Sequence, residues 1–206
     1  MNDKIIINVG RQLGSGGFEI GKLLAKEFGA KFLDRELLNL AAKESGFSEK
    51  LFKTQDEHRG FMKHLFHFSA PIVGTGGMYN NSISPEALFQ FQSDAIRKVA
   101  DEGSCVIVGR CADYVLRDYP NVFNVFITAD MKDRIECIRR IKMCDAETAR
   151  KLIDKKENER EKYYNFYTGK KWGAAQSYDL CINSSLLGVE ATAQFIIQFI
   201  RQRLGR

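Results

Sequence analysis

The sequence contains no long run of apolar residues. A helix that crosses a membrane needs roughly 18 or more consecutive apolar residues, and no segment of this 206-residue chain approaches that length. The first apolar run, Ile5-Ile6-Ile7, also lacks the longer hydrophobic region and the cleavage site of a secretory signal peptide. We therefore expect a soluble protein of the cytoplasm that does not bind membranes.

Cysteine and histidine are too few and too scattered to indicate a metal site. The five cysteines are odd in number and include no C-x-x-C pair, so the sequence indicates neither a disulfide framework nor a zinc site. His64 and His67 stand three residues apart, but no cysteine or acidic residue accompanies them at ligand spacing. We expect reduced cysteines that mostly pack in the interior, and no metal ligands among the side chains.

The excess of basic over acidic residues is small. Lys and Arg number 31 against 26 Asp and Glu, which gives a formal net charge of +5. This balance suits an anionic small ligand, whereas nucleic acid calls for clustered basic residues. Because basic and acidic residues are interspersed outside a single helix, we do not expect nucleic acid as a partner.

Predicted strands and helices alternate along the chain. The β-branched run from Ile5 to Val9 predicts a strand buried on both faces, with a turn at Gly10. Helical spacing from Phe18 predicts a helix that stops at Gly29. The other strands are predicted at 31–34, 105–108, 122–128 and 180–182, and the other helices at 35–45, from Pro85 to Gly103, after Asp130, from Asp145 to about Tyr164, and from Gly188 to Leu204.

This alternation predicts an α/β fold with a doubly wound, mainly parallel sheet joined by right-handed crossovers. In such a sheet ligands bind at the carboxyl ends of the strands, where Gly14, Arg110 and the Asn183 region fall. Residues 47–82 interrupt the pattern with glycines and aromatic residues, so we predict helical pieces around a loop, inserted on the sheet.

A glycine-rich turn, Gly14-Ser15-Gly16-Gly17, lies between the first strand and the first helix. A strand, a glycine turn and a helix N-terminus together direct several backbone amides and the positive end of the helix dipole at one point, which favours phosphate. The dinucleotide pattern G-x-G-x-x-G is not met, because Glu19 stands where its third glycine belongs, so NAD is not favoured. The predicted phosphate-binding residues are Arg11, Gly14, Ser15, Gly16, Gly17 and Phe18.

The turn departs from the P-loop pattern G-x-x-x-x-G-K-[ST] at two positions. A formal match at Gly16, Gly21 and Lys22 is misleading, because the intervening residues belong to the predicted helix. With the loop placed where the strand ends, Gly17 and Phe18 stand where a P-loop has its lysine and its magnesium-binding hydroxyl. Loss of a charged donor costs about 3 kcal/mol of transition-state stabilisation, so phosphoryl transfer needs another cation. The candidates are Arg11, Arg110, Lys155, Lys156, Arg160, Lys170 and Lys171.

Several stretches of the chain match one known family in their order and spacing. They are Gly10 to Gly17 with Ile20 to Ala25, Phe32 to Leu37, Val106 to Arg110, and Tyr163-Tyr164 to Tyr178-Asp179-Leu180. Together they resemble the cytidylate kinase-like family, which belongs with the nucleoside monophosphate kinases of the P-loop class. The resemblance implies a single domain over residues 1–206, with a monophosphate-binding insertion over 34–83 and a lid over about 150–173.

The resemblance also assigns residues to the acceptor side of the site. Asp34 and Arg35 match the start of the segment that receives the monophosphate nucleotide in cytidylate kinases, and Arg110 matches an arginine that faces its phosphate. The aspartate that usually follows Gly-Arg is replaced by Cys111, with Asp113 two residues later. The resemblance thus implies substrate binding by Asp34, Arg35 and Arg110.

The predicted lid carries three charged residues of interest. Glu157 and Arg160 fit the D-x-x-R of the family's lid, with Glu in place of Asp. Lys156 and Arg160 are four residues apart, so they share one helical face and can reach the same phosphate oxygens when the helix closes. The alternating charges would equally suit a solvated helix. The predicted catalytic residues are Arg110, Arg160 and Lys156.

The sequence leaves two functions open. The first is a phosphotransferase that moves a phosphoryl group from ATP to a small acceptor such as a nucleoside monophosphate, with ATP and Mg²⁺ implied by the resemblance. The second is a catalytically silent regulatory protein that binds a nucleotide or a phosphorylated small molecule, which Gly17 and Phe18 at the catalytic positions favour. The acceptor, the enzymatic activity and the oligomeric state stay open.

Overall fold

Five parallel strands form one sheet in the part of the chain that the structure, a computed structural model, describes, namely residues 4–34 and 85–205. They are β1 (Ile6–Arg11), β2 (Lys31–Leu33), β3 (Cys105–Val108), β4 (Val122–Thr128) and β5 (Leu180–Asn183). Their order in the sheet is β2-β3-β1-β4-β5, and each neighbouring pair is parallel. The predicted parallel sheet is therefore confirmed, and the carboxyl ends of its strands share one edge.

Helices cover both faces of the sheet. Within the described residues they are α1 (Gly17–Glu27), α2 (Pro85–Glu102), α3 (Ala112–Val115), α4 (Met131–Lys142), α5 (Ala146–Thr168) and α6 (Gly188–Arg203), with a short 3₁₀ turn at Ala175–Ser177. On one face Leu24 of α1 and Ile196 of α6 pack in the same buried cluster as Val125 of β4. On the other face Ile96 of α2 packs with Ile107 of β3. This layering confirms the doubly wound arrangement.

The central strand, β1, is longer than predicted. Its first four residues are buried, as expected for a β-branched run between two helical layers. The turn expected at Gly10 is wrong, because the strand continues through Gly10 and Arg11, which pair with Phe126 and Ile127 of β4. Gly10 is required by close packing, since a Cβ atom there would lie 2.6 Å from Cδ2 of Phe126. The extension places Arg11 at the carboxyl edge of the sheet.

Helix α5 begins where the sequence predicts and ends later. Asp145 caps its N-terminus by accepting a hydrogen bond from the Thr148 amide at 2.7 Å. The helix continues to Thr168 instead of ending near Tyr164, because Tyr164 is buried against the body of the protein. Gly169, with a φ of +67°, then ends the helix. The helix thus spans most of the segment predicted over 150–173.

The other described helices agree with the prediction, apart from one. Helix α3 was not predicted, because its four residues form a single turn, too short to show a periodicity. The helix predicted at 35–45 and the segment 47–82 lie outside the described residues. Of the helices that the structure describes, none has the length and apolarity that a membrane crossing requires. The five cysteines are free, and only Cys105 and Cys111 are buried, so the prediction that most of them pack in the interior is wrong.

Candidate functional site

The glycine-rich turn connects the end of β1 to the start of α1. Gly14 and Gly16 have φ angles of +81° and +72°, which residues other than glycine rarely adopt. The Gln12 amide donates to the carbonyl of Ile127 at 2.9 Å, and the Gln12 side chain accepts from the Ala129 amide at 3.2 Å. These bonds hold the turn against the end of β4, at the carboxyl edge of the sheet.

The amides at the tip of the turn are available to a ligand. No hydrogen bond within residues 4–34 and 85–205 uses the amides of Gly14, Gly16, Gly17 or Phe18 as donors. Those of Gly17 and Phe18 are the first amides of α1, which have no acceptor within the helix and lie at the positive end of its dipole. This arrangement can bind an anion such as phosphate.

Two glycines of the turn are also required by close neighbours. A Cβ atom on Gly14 would lie 2.8 Å from the carbonyl oxygen of Arg134 in α4, and one on Gly16 would lie 2.6 Å from Cγ2 of Val189 in α6. A side chain at either position would therefore push the turn away from a helix that packs against it.

Ser15 is bonded within the protein. It is buried, and its hydroxyl donates to the Gln12 carbonyl at 2.9 Å. Its carbonyl accepts from the hydroxyl of Ser184 at 2.8 Å. Ser15 thus maintains the shape of the turn, and Ser184, which the sequence did not single out, ties the turn to the residue after β5.

Arg11, the last residue of β1, lies across the start of α1. A Cβ atom on Gly17 would lie 2.5 Å from Cβ and 3.0 Å from Cγ of Arg11, so the stem of Arg11 occupies the space that a side chain at position 17 would need. The guanidinium then reaches Gly109, directly after β3, which has a φ of +82° and no Cβ to block it. Two of the predicted phosphate-binding residues, Arg11 and Gly17, are thus in direct contact.

Helices α4 and α5 both contact the turn at Leu13. The Leu13 amide donates to Oε1 of Glu157 at 3.0 Å, and Nε of Arg134 donates to the Leu13 carbonyl at 2.9 Å. Arg134 and Glu157 also form an ion pair at 2.6 Å, with the Arg134 side chain only 3% exposed. The Glu157 carboxylate is therefore held at the glycine turn.

Arg160 lies one helical turn beyond Glu157 in α5. Its Nη1 donates to the carbonyl of Arg11 at 3.2 Å. Burial lowers the pKa of the Arg160 guanidinium, the Glu157 carboxylate opposes this effect, and the neighbouring positive charges of Arg110 and Arg134 add to it. The site therefore concentrates guanidinium groups where the strands end, and such a concentration favours an anionic ligand.

Arg110 follows β3 with a φ of +60°, which is unusual for arginine. Its Cζ lies over the ring of Tyr163, 5.4 Å from the ring centroid. The Tyr163 hydroxyl donates to Oε1 of Gln92 at 3.1 Å, and burial raises the pKa of Tyr163 to about 12. Tyr163 of α5, held by Gln92 of α2, thus lies against the half-buried Arg110 at the carboxyl edge of the sheet.

The remaining predicted site residues lie at different distances from this cluster. Lys156 forms an ion pair with Glu159 at 2.7 Å, and the Glu159 carboxylate in turn attracts Arg160. Asp34 directly follows β2 at the same edge of the sheet. Arg35 and the rest of the predicted insertion lie outside the described residues. The structure thus brings Arg110 and Arg160 together. Lys156 is linked to them through Glu159, which pairs with Lys156 and also attracts Arg160.

The side chains at the turn do not fit the Mg²⁺ that the family resemblance implies. Phe18 stands where a P-loop has a hydroxyl, and its ring contacts the ring of Phe32 edge-on, with 5.4 Å between the centroids. The ammonium of Lys22 lies 4.5 Å above the Phe18 ring. In residues 4–34 and 85–205, no group of three or more His, Cys, Asp or Glu side chains could hold a metal ion.

A cleft of about 460 Å³ opens beside the turn, between α1, α4 and the start of α6. Its walls include Gly14, Gly16, Asp133, Arg140, Ser185 and Val189. This volume falls within the roughly 300–1,000 Å³ that is usual for small-molecule sites. A ligand that places a phosphate on the turn could extend into this cleft.

Arg134 is the main contact at the turn that the sequence analysis missed. It is one of three arginines in α4, and Arg139 and Arg140 are exposed. Arg134 stands four residues before the buried Ile138, so an arginine on the apolar face of the helix is the signal that could have identified it.

Comparison with solved structures supports the fold assignment. A crystal structure described as an uncharacterized protein from Eubacterium ventriosum ATCC 27560 is 29% identical, with a TM-score of 0.74 over 96% of this chain and 98% of that one. Shikimate kinase from Bacteroides thetaiotaomicron is 12% identical, with a TM-score of 0.54 over 96% and 98% of the two chains. Shikimate kinase from Acinetobacter baumannii, in complex with shikimate, is 12% identical, with a TM-score of 0.53 over 98% and 96%. The fold is that of the P-loop kinases.

Comparison of sequences identifies the family. No curated protein matches the chain. The sequence model described as "Cytidylate kinase-like family" matches residues 6–186, which include the glycine turn, Arg110, Arg134 and Arg160. The chain therefore belongs to the cytidylate kinase-like family.

Proposed function

We propose that this protein binds ATP and transfers its terminal phosphoryl group to a small acceptor such as a nucleoside monophosphate. The observation that carries this proposal is the glycine turn, whose tip amides have no partner among the described residues and which arginine side chains surround. Amides at a helix N-terminus and guanidinium groups are the donors that bind phosphate best. Membership of a kinase-like family supports the same function.

The donor nucleotide is proposed to lie along the turn. The amides of Gly14 and of Gly16 to Phe18 would bind its phosphates, at the positive end of the α1 dipole. The cleft of about 460 Å³ continues from the turn and would receive the nucleoside part. With the donor bound in this way, the terminal phosphate of ATP would lie at the end of the turn that faces β3.

The acceptor is proposed to bind beyond the end of β3. Arg110 would bind its phosphate, and Asp34 with Arg35 would contact it from the other side. The contact between Arg110 and the Tyr163 ring supports this role, because it holds the guanidinium near the other arginines. Donor and acceptor would then meet at the carboxyl edge of the sheet, where α/β proteins bind their ligands.

Helix α5 is proposed to act as the lid, over residues 150–173. Its Arg160 would neutralise charge on the transferring group, with Lys156 as a second cation. The hydrogen bond from Arg160 to the Arg11 carbonyl supports this role, because it joins α5 to the turn. Phosphoryl transfer asks the protein mainly for positioning and charge neutralisation, which these residues could supply without a covalent intermediate.

Mg²⁺ would accompany the nucleotide, where it would neutralise phosphate charge. Because Phe18 offers no oxygen ligand, phosphate oxygens and water would have to hold the ion, as they often do for Mg²⁺. None of the steps proposed for the side chains depends on the metal.

One observation favours a second function, a regulatory protein that binds a nucleotide without turnover. Gly17 and Phe18 replace the lysine and the hydroxyl on which P-loop catalysis depends. Without a substitute for the lysine, the turn would still bind phosphate through its amides but would lack a charge on the transferring group.

Titration calorimetry with ATP and with cytidine monophosphate, each with and without Mg²⁺, tests the proposal, followed by measurement of ADP release from the mixture. We expect ATP binding and acceptor-dependent ADP release. Binding without release across a panel of nucleoside monophosphates would favour the regulatory function. Failure to bind any nucleotide would contradict the phosphotransferase and the nucleotide-binding form of the regulatory function.

A pair of glycine variants links binding to the turn. Gly16→Ala puts a Cβ atom against Val189 and should weaken ATP binding about tenfold or more, because it moves the amides. Gly29→Ala is the matched control, since Gly29 also has a positive φ, of +57°, but open space around it at the far end of α1. Equal affinities in the two variants would argue against phosphate binding at the turn.

A further inference from the structure

Two positions of the P-loop pattern carry exchanged residues in this chain. The pattern G-x-x-x-x-G-K begins with glycine and ends with lysine, and its first and seventh positions fall on Arg11 and Gly17. The cation thus stands at the position of the first glycine, and a glycine stands at the position of the lysine.

The structure shows that these two positions touch. A Cβ atom on Gly17 would lie 2.5 Å from Cβ of Arg11, a distance that real Cβ atoms essentially never show, and 3.0 Å from its Cγ. A side chain at position 17 is therefore incompatible with one at position 11 unless the backbone shifts. Without the Arg11 side chain, the nearest remaining contact of that Cβ atom would be an ordinary 3.6 Å, to Cβ of Ile127.

The side chain of Arg11 extends from the start of α1 toward the acceptor side. Its guanidinium contacts Gly109, directly before Arg110. Its carbonyl accepts the hydrogen bond from Arg160 at 3.2 Å, which holds the backbone of Arg11 to α5. The guanidinium thus lies between the end of the glycine turn and Arg110.

We infer that Arg11 supplies, from the first position of the loop, the cation that other P-loop kinases supply from the lysine at the seventh. The inference rests on the proposed phosphotransfer. It assigns to one residue the positive charge that the P-loop lysine would otherwise supply. In the transfer, the bond from the terminal phosphorus to the bridging oxygen breaks, and ADP keeps the electron pair. A phosphate oxygen of the acceptor forms the new bond, and Arg11 stabilises the charge on the oxygens in between.

The test restores the ordinary pattern by exchanging the two residues. Arg11→Gly should lower kcat about 100- to 1,000-fold, and Arg11→Gln, which keeps the stem, should do the same. Gly17→Lys alone should lower the melting temperature because of the clash. The double variant Arg11→Gly with Gly17→Lys should recover that temperature and return kcat to within about tenfold of the wild type.

A second double variant provides the matched control. Arg11→Ala with Gly17→Lys has the same added lysine but keeps the Cβ atom at position 11, so the 2.5 Å clash stays. It should melt below the Arg11→Gly double variant. Binding of inorganic tripolyphosphate without metal gives a readout that does not depend on turnover, and Arg11→Gln should weaken it about tenfold or more.

The possible outcomes separate this inference from the proposed function. If the wild type releases ADP and Arg11→Gln has wild-type kcat and tripolyphosphate affinity, the role of Arg11 is wrong and the proposed function stands. If the two double variants have the same melting temperature, the proposed clash between side chains at positions 11 and 17 is wrong. If the wild type binds neither ATP nor tripolyphosphate, the proposed function fails, and the role of Arg11 fails with it.

Discussion

The carboxylate of Glu157 in α5 and the guanidinium of Arg134 in α4 form an ion pair at 2.6 Å directly behind the glycine turn. Both residues also bind the backbone of Leu13, one at its amide and one at its carbonyl. The pair thereby fixes the two peptide units on either side of the Leu13 Cα atom, from two helices. Its integrity should affect both the stability of the protein and the shape of the proposed phosphate site.

Glu157→Gln should lower the free energy of unfolding by about 3 kcal/mol, because it leaves the buried Arg134 guanidinium without a counter-charge. The matched control is Glu147→Gln. Glu147 pairs with Lys151 at the same 2.6 Å in the same helix, but the two side chains are 78% and 75% exposed, so the change should stay below about 1 kcal/mol. Urea unfolding of the three proteins measures the difference. Equal losses of unfolding free energy in the two variants would show that the buried pair of Arg134 and Glu157 stabilises the protein no more than an exposed pair does.

Gly14→Ala should destabilise the protein more than Gly29→Ala does. Both glycines have a positive φ, which costs alanine about 1–2 kcal/mol, but only at Gly14 would the new Cβ meet backbone, 2.8 Å from the Arg134 carbonyl oxygen. We expect an additional loss of about 1 kcal/mol or more at Gly14, measured by thermal unfolding. The prediction fails if the two variants unfold at the same temperature.

Asp113 should make the free energy of unfolding depend on pH. Burial raises the pKa of its carboxyl, and the Tyr164 hydroxyl, which donates to it at 2.6 Å, opposes the rise. The folded protein therefore holds this proton after the unfolded chain has released it, so the contribution of Asp113 is greatest at low pH and falls as pH rises through the raised pKa. Asp113→Asn should accordingly lose more stability, or gain less, at about pH 4 than at about pH 7.

Asp145 should show the opposite dependence. The Asp145 carboxylate accepts a hydrogen bond from the Thr148 amide, which holds the pKa of the carboxyl below its usual range. The contribution of Asp145 to the free energy of unfolding is therefore present at neutral pH and is lost as pH falls through the lowered pKa. The deficit of Asp145→Asn should therefore shrink toward acid. Urea unfolding of both variants across this pH range is the measurement, and slopes of the same sign would contradict the assignment.

Arg160→Gln should lower kcat/KM for phosphoryl transfer about 100-fold, because it removes a charged donor from the proposed site of transfer. Arg150→Gln is the control in the same helix, since Arg150 is exposed and pairs with Asp154 in the neighbouring turn. Initial rates of ADP release, at saturating and limiting acceptor, give the measurement. Melting temperatures of both variants separate lost catalysis from lost folding. Equal rates in the two variants would exclude a role for Arg160.

The fold was predictable because it follows from local patterns. Apolar runs predicted the bounds of β3 and β4 correctly, since these patterns act over a few residues. The turn at Gly10 was predicted wrongly, because its glycine serves a contact with the Phe126 ring of a neighbouring strand. A glycine that breaks a strand and one that admits a distant side chain look the same in sequence.

The candidate site was predictable only in part. The glycine turn, Arg110 and Arg160 were all singled out from sequence, because they follow strands or match a family pattern, and the structure brings them to one edge of the sheet. The roles of Arg134 and Ser184 were not, since each depends on which face of its element reaches the turn. Lys156 and Arg160 lie four residues apart in α5, as predicted, but the ion pair of Lys156 with Glu159 could not be predicted from the spacing alone.

By itself, the sequence determined that a glycine turn with a helix behind it ends the first strand, and that this turn lacks the lysine and the hydroxyl of a P-loop. Only the tertiary structure decided which side chains lie against the turn and the first residue of its helix. It brings Glu157 to the Leu13 amide across 144 positions of sequence, and it lays the stem of Arg11 over Gly17. Such contacts depend on how the helices pack on the sheet, which local propensity does not encode. The sequence therefore identifies the turn and its candidate cations, and only the fold shows which of these cations contact the turn region.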